Sequence, residues 1–178
     1  MNMTKVGPAG GYGGTIWDDK GRDQVAGIVV TYNKLRVFAL QFLFCENGNL
    51  VRSDKHGSQR RGNIFSVVFD YSSEFLTSIS GYFKTLTEYT DNADYTYLGS
   101  IRFGTNKGSY GPFGCARPST DDEIDFDFQL GNHRLFGGFH GTENHCGIES
   151  IGVHVKPIPS SSMINFKNLR VKDEKEDD

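Results

Sequence analysis

The chain has 178 residues, 37% of them apolar and 13% aromatic, and a formal charge of −3. Its last seven residues, KDEKEDD, hold two lysines against five acids and so carry that whole charge, leaving a neutral body. The length suits one domain with a sizeable core, and a neutral body, in which Arg60-Arg61 is too small a basic pair to act as a stripe, excludes a nucleic-acid footprint.

Taken in chain order, the first feature is GPAGGYGGTIWDD at 7–19, with five glycines in its first eight residues. Glycine permits positive φ and close approach of another backbone or a ligand, so this run reads as a tight turn, a binding lip, or both. Helical periodicity is almost absent after it. Short apolar and aromatic runs cut by Gly, Asn, Asp and Ser predict strands at 24–33, 35–44, 64–71, 75–85, 96–106, 122–130, 134–141 and 148–157. In the sixth of these, Ile124, Phe126, Phe128 and Leu130 alternate with Asp125, Asp127 and Gln129, which places one face in a core and the other in water. The Phe-rich strand ending at Phe42 and Phe44 offers an apolar face for pairing with a second copy.

An internal echo links AGIVVTY, TSISGYF and ESIGVHV through Ile28, Ile79 and Ile151. The first two are followed by ALQFLF and SIRFGT, in which Leu40 and Ile101 hold equivalent places. The third has no follower. Threefold pseudo-symmetry then requires the last unit to borrow strands from the N-terminus, with GGTIWDD as one of them. Past Ile158 the texture changes to a Pro and Ser run ending in mixed charge, so 159–178 reads as a flexible tail whose patch MINFKNLRV is apolar enough to dock.

Candidate chemistry is sparse. Cys45, Cys115 and Cys146 are odd in number and widely spaced, which indicates reduced thiols rather than a disulfide framework or a zinc knuckle. Cys146 has His145 beside it, but strand neighbours face opposite ways, which argues against a catalytic pair. The histidines lack helical ligand spacing and the acids of STDDEIDFD lack a calcium-loop order, so no metal or cofactor is expected. The glycine run precedes a strand, whereas phosphate and dinucleotide cradles need a following helix, and no nucleophile elbow is present. An enzyme is therefore not expected. Without a charged-then-apolar leader or about 18 consecutive apolar residues, the sequence reads as soluble, with no membrane partner and no standard secretion signal.

Four motifs in order, GPAGGYGGTIWDD, GSIRFGTNKGSYGPFG (99–114), FGGFHG (136–141) and SIGVHV (150–155), resemble the jacalin-related lectins of plants. The resemblance covers roughly 5–158 and implies an all-β fold, the β-prism I of three four-stranded Greek-key sheets, with sugar held among loops at one end. It implies that Gly14 lies in the glycine loop beside the sugar, where a side chain would collide with the ring. The opposite wall is implied to be a G-x-x-x-D loop before the last strand. Here His145 stands at its glycine, Cys146, Gly147 and Ile148 between, and Glu149 at its Asp, and the resemblance implies a loop from Gly141 to Glu149 one residue longer than is usual for the family.

Glu149 keeps two acceptor oxygens but adds a methylene, so its carboxylate is expected about a bond length further out, weakening mannose recognition. An unbroken chain at Gly14 points to the mannose/glucose-type, cytoplasmic branch, with the nucleus also open to it. Tyr12 and the loop residues Arg60 and Arg61 are accessory candidates, while Trp17 is implied to be structural. DKHGSQRRGN (54–63) matches a variable recognition loop in place only, without a second Gly-Gly pair. Short members with altered loops resemble plant defence proteins that restrict RNA viruses, so the partners implied are mannose-type or complex glycans, a viral or host protein, and a second copy of the chain. The alternative to a working lectin is an interaction module whose sugar site has degenerated.

Overall fold

The computed structural model describes residues 2–87, 94–116 and 123–158; the tail 159–178 lies outside them. All regular elements described are strands. The first group is β1 Thr4–Gly10, β2 Thr15–Asp18, β3 Gln24–Tyr32, β4 Val37–Glu46, β5 Asn49–Arg52, β6 His56–Gly57 and β7 Asn63–Val68. The second is β8 Leu76–Thr87, β9 Asp94–Thr105, β10 Gly108–Gly114, β11 Glu123–Gln129, β12 Phe136–Asn144 and β13 Gly147–Val155. They form three antiparallel sheets in the orders β5-β4-β3-β7, with β6 also on β4, then β10-β9-β8-β11, and β1-β13-β12-β2. Each sheet is a central hairpin flanked by two strands that a single connection joins. In the last sheet those flanks come from the N-terminus, as the echo requires. No helix among the described residues is long and apolar enough to cross a membrane.

The three hairpins supply one core in matching layers. Ile28 faces Phe42, Ile79 faces Phe103, and Phe139 faces Val153 across their ladders, all fully buried. Leu40, Ile101 and Ile151 form the adjacent layer. This corrects the register of the echo. Ile151 lies on β13, the second strand of its hairpin, so it matches Leu40 and Ile101; Phe139 is the mate of Ile28 and Ile79. The third unit lacks a follower because ESIGVHV is itself the follower. Phe42 and Phe44 are likewise fully buried, Phe42 stacked on Phe139 with centroids 3.9 Å apart, so neither offers a face to a second copy. The exposed apolar side chains of that sheet are instead Ile64 and Val68 on β7 and Leu50 on β5.

A backbone detail repeats three times at one end. The N–H of Gly11, Ser58 and Cys115 donates to the carbonyl of Glu149, Phe38 and Gly99, each at 2.9 Å. The residue before each donor is a glycine at positive φ, Gly10, Gly57 and Gly114. A Cβ there would lie 2.4, 2.2 and 2.2 Å from those same carbonyl oxygens, closer than any side chain tolerates.

On the face of the last sheet away from Phe139, His140 and His154 are both 2% exposed with ring centroids 5.0 Å apart. His140 Nε2 bonds the Val6 carbonyl at 2.9 Å and His154 Nε2 bonds Asp18 at 2.8 Å. Burial holds His140 below its ordinary pKa of 6.5; the Val6 carbonyl opposes this, Lys5 and His154 reinforce it, and Asp18 opposes it. A lowered histidine pKa means the unfolded chain binds the extra proton first, so the neutral ring's contribution is complete above pH 6.5 and is lost as pH falls through that value. The urea midpoint is expected to drop between pH 7 and pH 5, and H140Q, measured over the same range, to flatten that drop.

Candidate functional site

The loop Gly11–Gly14 between β1 and β2 meets the two-residue turn between β12 and β13 at the end where the backbone detail repeats. The β1–β13 and β12–β2 ladders fix this meeting, since they bring both sides of the loop onto one hairpin. Gly14 passes so close to β12 that a Cβ would lie 2.5 Å from the Glu143 carbonyl oxygen and 2.9 Å from Glu149 Oε1. Only a bare backbone fits there.

Glu149 is the centre of the site and is 5% exposed. Its Oε1 accepts from the Gly14 N–H at 2.8 Å and the Thr142 hydroxyl at 2.9 Å, and its Oε2 from the Asn144 amide at 3.0 Å. A buried carboxylate is costly unless its lone pairs are met by donors. Three donors meet them here. Asn144 also ties its amide to the Thr96 carbonyl and accepts the Cys146 N–H, while the Ser150 hydroxyl lies 2.7 Å from that of Thr142. The extra methylene of Glu149 thus runs across to the glycine loop rather than outward to solvent. The lip and the carboxylate stand at the same end and touch, so a ligand reaches them from outside and not from between.

The remaining sequence candidates fall into three places. Cys146 is buried, Gly147 is buried at positive φ, and the Ile148 side chain points into the core. Tyr12 is 95% exposed on the glycine loop, with no wall behind it. Arg60 and Arg61 are exposed on the neighbouring 58–62 loop, which the Glu143 carboxylate joins to this site by accepting the Gly57 N–H at 2.6 Å. Trp17 is buried and stacked on His56, centroids 4.1 Å apart, and His56 bonds the buried Asp19 at 2.6 Å. One inference about side-chain direction is overturned. His145 and Cys146 form a turn rather than part of a strand, so alternation does not separate them, and His145 Nε2 lies 3.4 Å from the Cys146 sulfur.

Thr142, Asn144 and Glu143 were missed from the sequence, although Thr142 and Asn144 alternate along β12 toward one edge of the turn. Gly62 was also missed. A Cβ on it would lie 2.5 Å from the Tyr32 carbonyl oxygen and 3.1 Å from the Phe38 ring, which makes Gly62 the counterpart of Gly14 and Phe38 that of Glu149 in the first sheet. A phenyl there accepts nothing. Among the described residues no group of three or more His, Cys, Asp or Glu side chains is placed to hold a metal ion.

This architecture matches known proteins. The family model of the jacalin-like lectin domain matches residues 6–154. The protein RESTRICTED TEV MOVEMENT 1 of Arabidopsis thaliana is 37% identical over 160 residues, covering 86% of this chain and 87% of that one. Jacalin-related lectin 2 of the same plant is 34% identical over 164 residues, covering 86% of each. Among solved structures, an artocarpin–mannotriose complex aligns with a TM-score of 0.73 at 26% identity, over 88% of this chain and 99% of that one. A mannose-specific jacalin-related lectin from Morus nigra in complex with mannose gives the same TM-score and identity over 88% and 96%. With the three sheets, the glycine lip and the family model in agreement over nearly the whole described domain, the chain belongs to the jacalin-like lectin family, whose fold supports carbohydrate binding.

Proposed function

We propose that the protein is a carbohydrate-binding lectin that takes mannose-type residues of larger glycans at the end of the prism carrying Gly14 and Glu149. The observation that carries this reading is the contact of the glycine lip with a buried carboxylate at 2.8 Å, at the end where hairpin turns and loops converge. A pyranose laid over that pair meets bare main chain at Gly14, where no side chain fits. It shares the carboxylate with three internal donors, so a single mannose gains little and an extended glycan, with further contacts on neighbouring loops, gains more. The chain's likeness to an artocarpin that was solved with mannotriose supports the sugar class. Its likeness to RESTRICTED TEV MOVEMENT 1 supports a role in plant defence against viruses.

Titration of mannose and mannotriose, followed by a glycan array, tests the reading. Weak mannose and stronger oligomannose signals are expected, both lost in G14R, whose side chain has no room beside the Glu143 carbonyl. Array signals that survive that change would remove the site. A second reading, an interaction module with a degenerate sugar site, is favoured by one observation: Glu149 has its hydrogen bonds met from within. It expects a silent array and a protein partner retained in pull-down under excess mannose.

A further inference from the structure

The three sheets turn different faces to solvent. Across the middle sheet an outward row reads Asp127, Ser80 and Arg102, and across the last sheet Asp18, His140 and Gly152. The first sheet is apolar there. Its outward rows, taken from the start of β3, read Cys45 and Leu50, then Val68, Gly27 and Leu43, then Ser66, Val29 and Gln41, then Ile64, Thr31 and Ala39. Ile64 is 71% exposed, and Val68 and Leu50 are half exposed. Between Ile64 and Lys55, over Val29, Thr31, Ala39 and Gln41, lies a groove of about 140 Å³. An apolar hollow of roughly this volume lodges one phenyl ring, and a contiguous apolar face rimmed by charge marks a binding surface.

The chain's own end leaves the domain at the foot of this face. The Arg22 N–H donates to the Gly137 carbonyl at 3.1 Å and the Lys156 N–H to that of Leu135 at 2.8 Å, which ties the approach to β3 and the exit from β13 to one hairpin. Burial holds Lys156 below its ordinary pKa of 10.5 and the carboxylate of Asp23, the residue before β3, opposes that shift, so the two side chains are neighbours. Twenty residues follow Ile158: the spacer PSSS, the patch MINFKNLRV at 163–171, and KDEKEDD with its charge of −3. From Gln24 to Thr31 the face rises seven residues, about 23 Å at roughly 3.3 Å each. Phe166 stands eight residues past Ile158, a reach of up to about 27 Å. Towards the far end of the face runs RSDKHGSQRR (52–61), placed by Arg52 opposite Leu43 and Gly57 opposite Ala39. Its four cations, Arg52, Lys55, Arg60 and Arg61, against Asp54 give a net +3, and none of the four has an ion pair among the described residues.

We propose that the outer face of the first sheet is the docking surface for the chain's own residues 163–171, with Phe166 in the groove between Ile64 and Lys55 and the acidic run 172–178 against 52–61. Spacer, apolar patch and acids follow one another in the order in which the foot, the apolar rows and the cations are met. A tether supplies an effective concentration on the order of millimolar, so a short apolar contact suffices to hold the segment. A second copy lacks that advantage, and a symmetric pair made through this face would set one +3 stretch against another. The proposal is independent of sugar binding at the Gly14 lip.

Hydrogen exchange of the full chain, read by mass spectrometry against a synthetic peptide of residues 159–178, tests it. Amides of 163–171 are expected to exchange at least fivefold more slowly in the chain than in the peptide. That protection should vanish in F166D and in I64D, which alter opposite sides of one contact, and should fall severalfold in the double variant R60E/R61E. Exchange at the peptide rate in the unaltered chain, or protection that survives I64D or R60E/R61E, would overturn the proposal. So would protection that falls on tenfold dilution, which would put the end of a second copy on the face. A urea melt identifies a variant that no longer folds, and F166D, which changes no strand residue, keeps the test decisive should I64D unfold.

Discussion

F139A is expected to lower the unfolding free energy by about 3–5 kcal/mol, the cost of deleting a large buried aromatic and leaving a cavity behind. Phe139 is fully buried, stacks on Phe42 at 3.9 Å, and also meets Phe44 and Phe136 at 6.5 and 5.9 Å. It is the only aromatic at the three matching first-strand positions, where Ile28 and Ile79 take the other two places, so neither of those has the volume to fill the hole. F139L, which restores most of the volume, should recover more than half of the loss. Urea midpoints at constant slope measure both. If F139A unfolds at nearly the wild-type midpoint, Phe139 is not the keystone of the shared core.

E149D is expected to raise the affinity for mannose by tenfold or more. Removing one methylene withdraws the carboxylate from the Gly14 N–H that it now holds at 2.8 Å, which frees both a donor on the lip and an acceptor lone pair for sugar hydroxyls. One charge-assisted hydrogen bond contributes roughly 1.5–3 kcal/mol, and about 1.4 kcal/mol is tenfold in affinity. The same change leaves the Thr142 and Asn144 donors less well met, so a stability loss of about 1 kcal/mol should accompany the gain. E149A leaves the Gly14 N–H without its acceptor and takes one partner each from Thr142 and Asn144, and should lose both stability and binding. Calorimetry with mannose and urea melts of the two variants separate these effects. An affinity unchanged in E149D would show that the lip bond does not compete with sugar.

The strands were legible because they bury alternate side chains: Phe126 is 6% exposed while Asp125 and Asp127 face solvent. Even there, Ile124 at the strand's start is 40% exposed, since the pattern records which face a residue takes and not where the core ends. The threefold repeat was legible in kind but misregistered, because Ile28, Ile79 and Ile151 look alike although Ile151 stands on the other strand of its hairpin. Gly7-Pro8 and Gly111-Pro112 mark the true register, each at a shift in the ladder of β1 or β10. Gly14 and Glu149 were found through a family resemblance. The direction of the Glu149 side chain was not readable, because it depends on Thr142, Asn144 and the Gly14 N–H, which come from separate elements.

The last sheet also orders events in time. β1 and β2 leave the ribosome first, yet the edges that receive them, β13 and β12, are made last. Until β12 and β13 are made, the segment that carries β1, β2 and the glycine lip has no sheet to join. Ligand competence therefore arrives in a single late step, when the domain's two ends zip onto one hairpin. A nascent chain arrested before β12 should fold its first two sheets at most and capture no sugar at the lip.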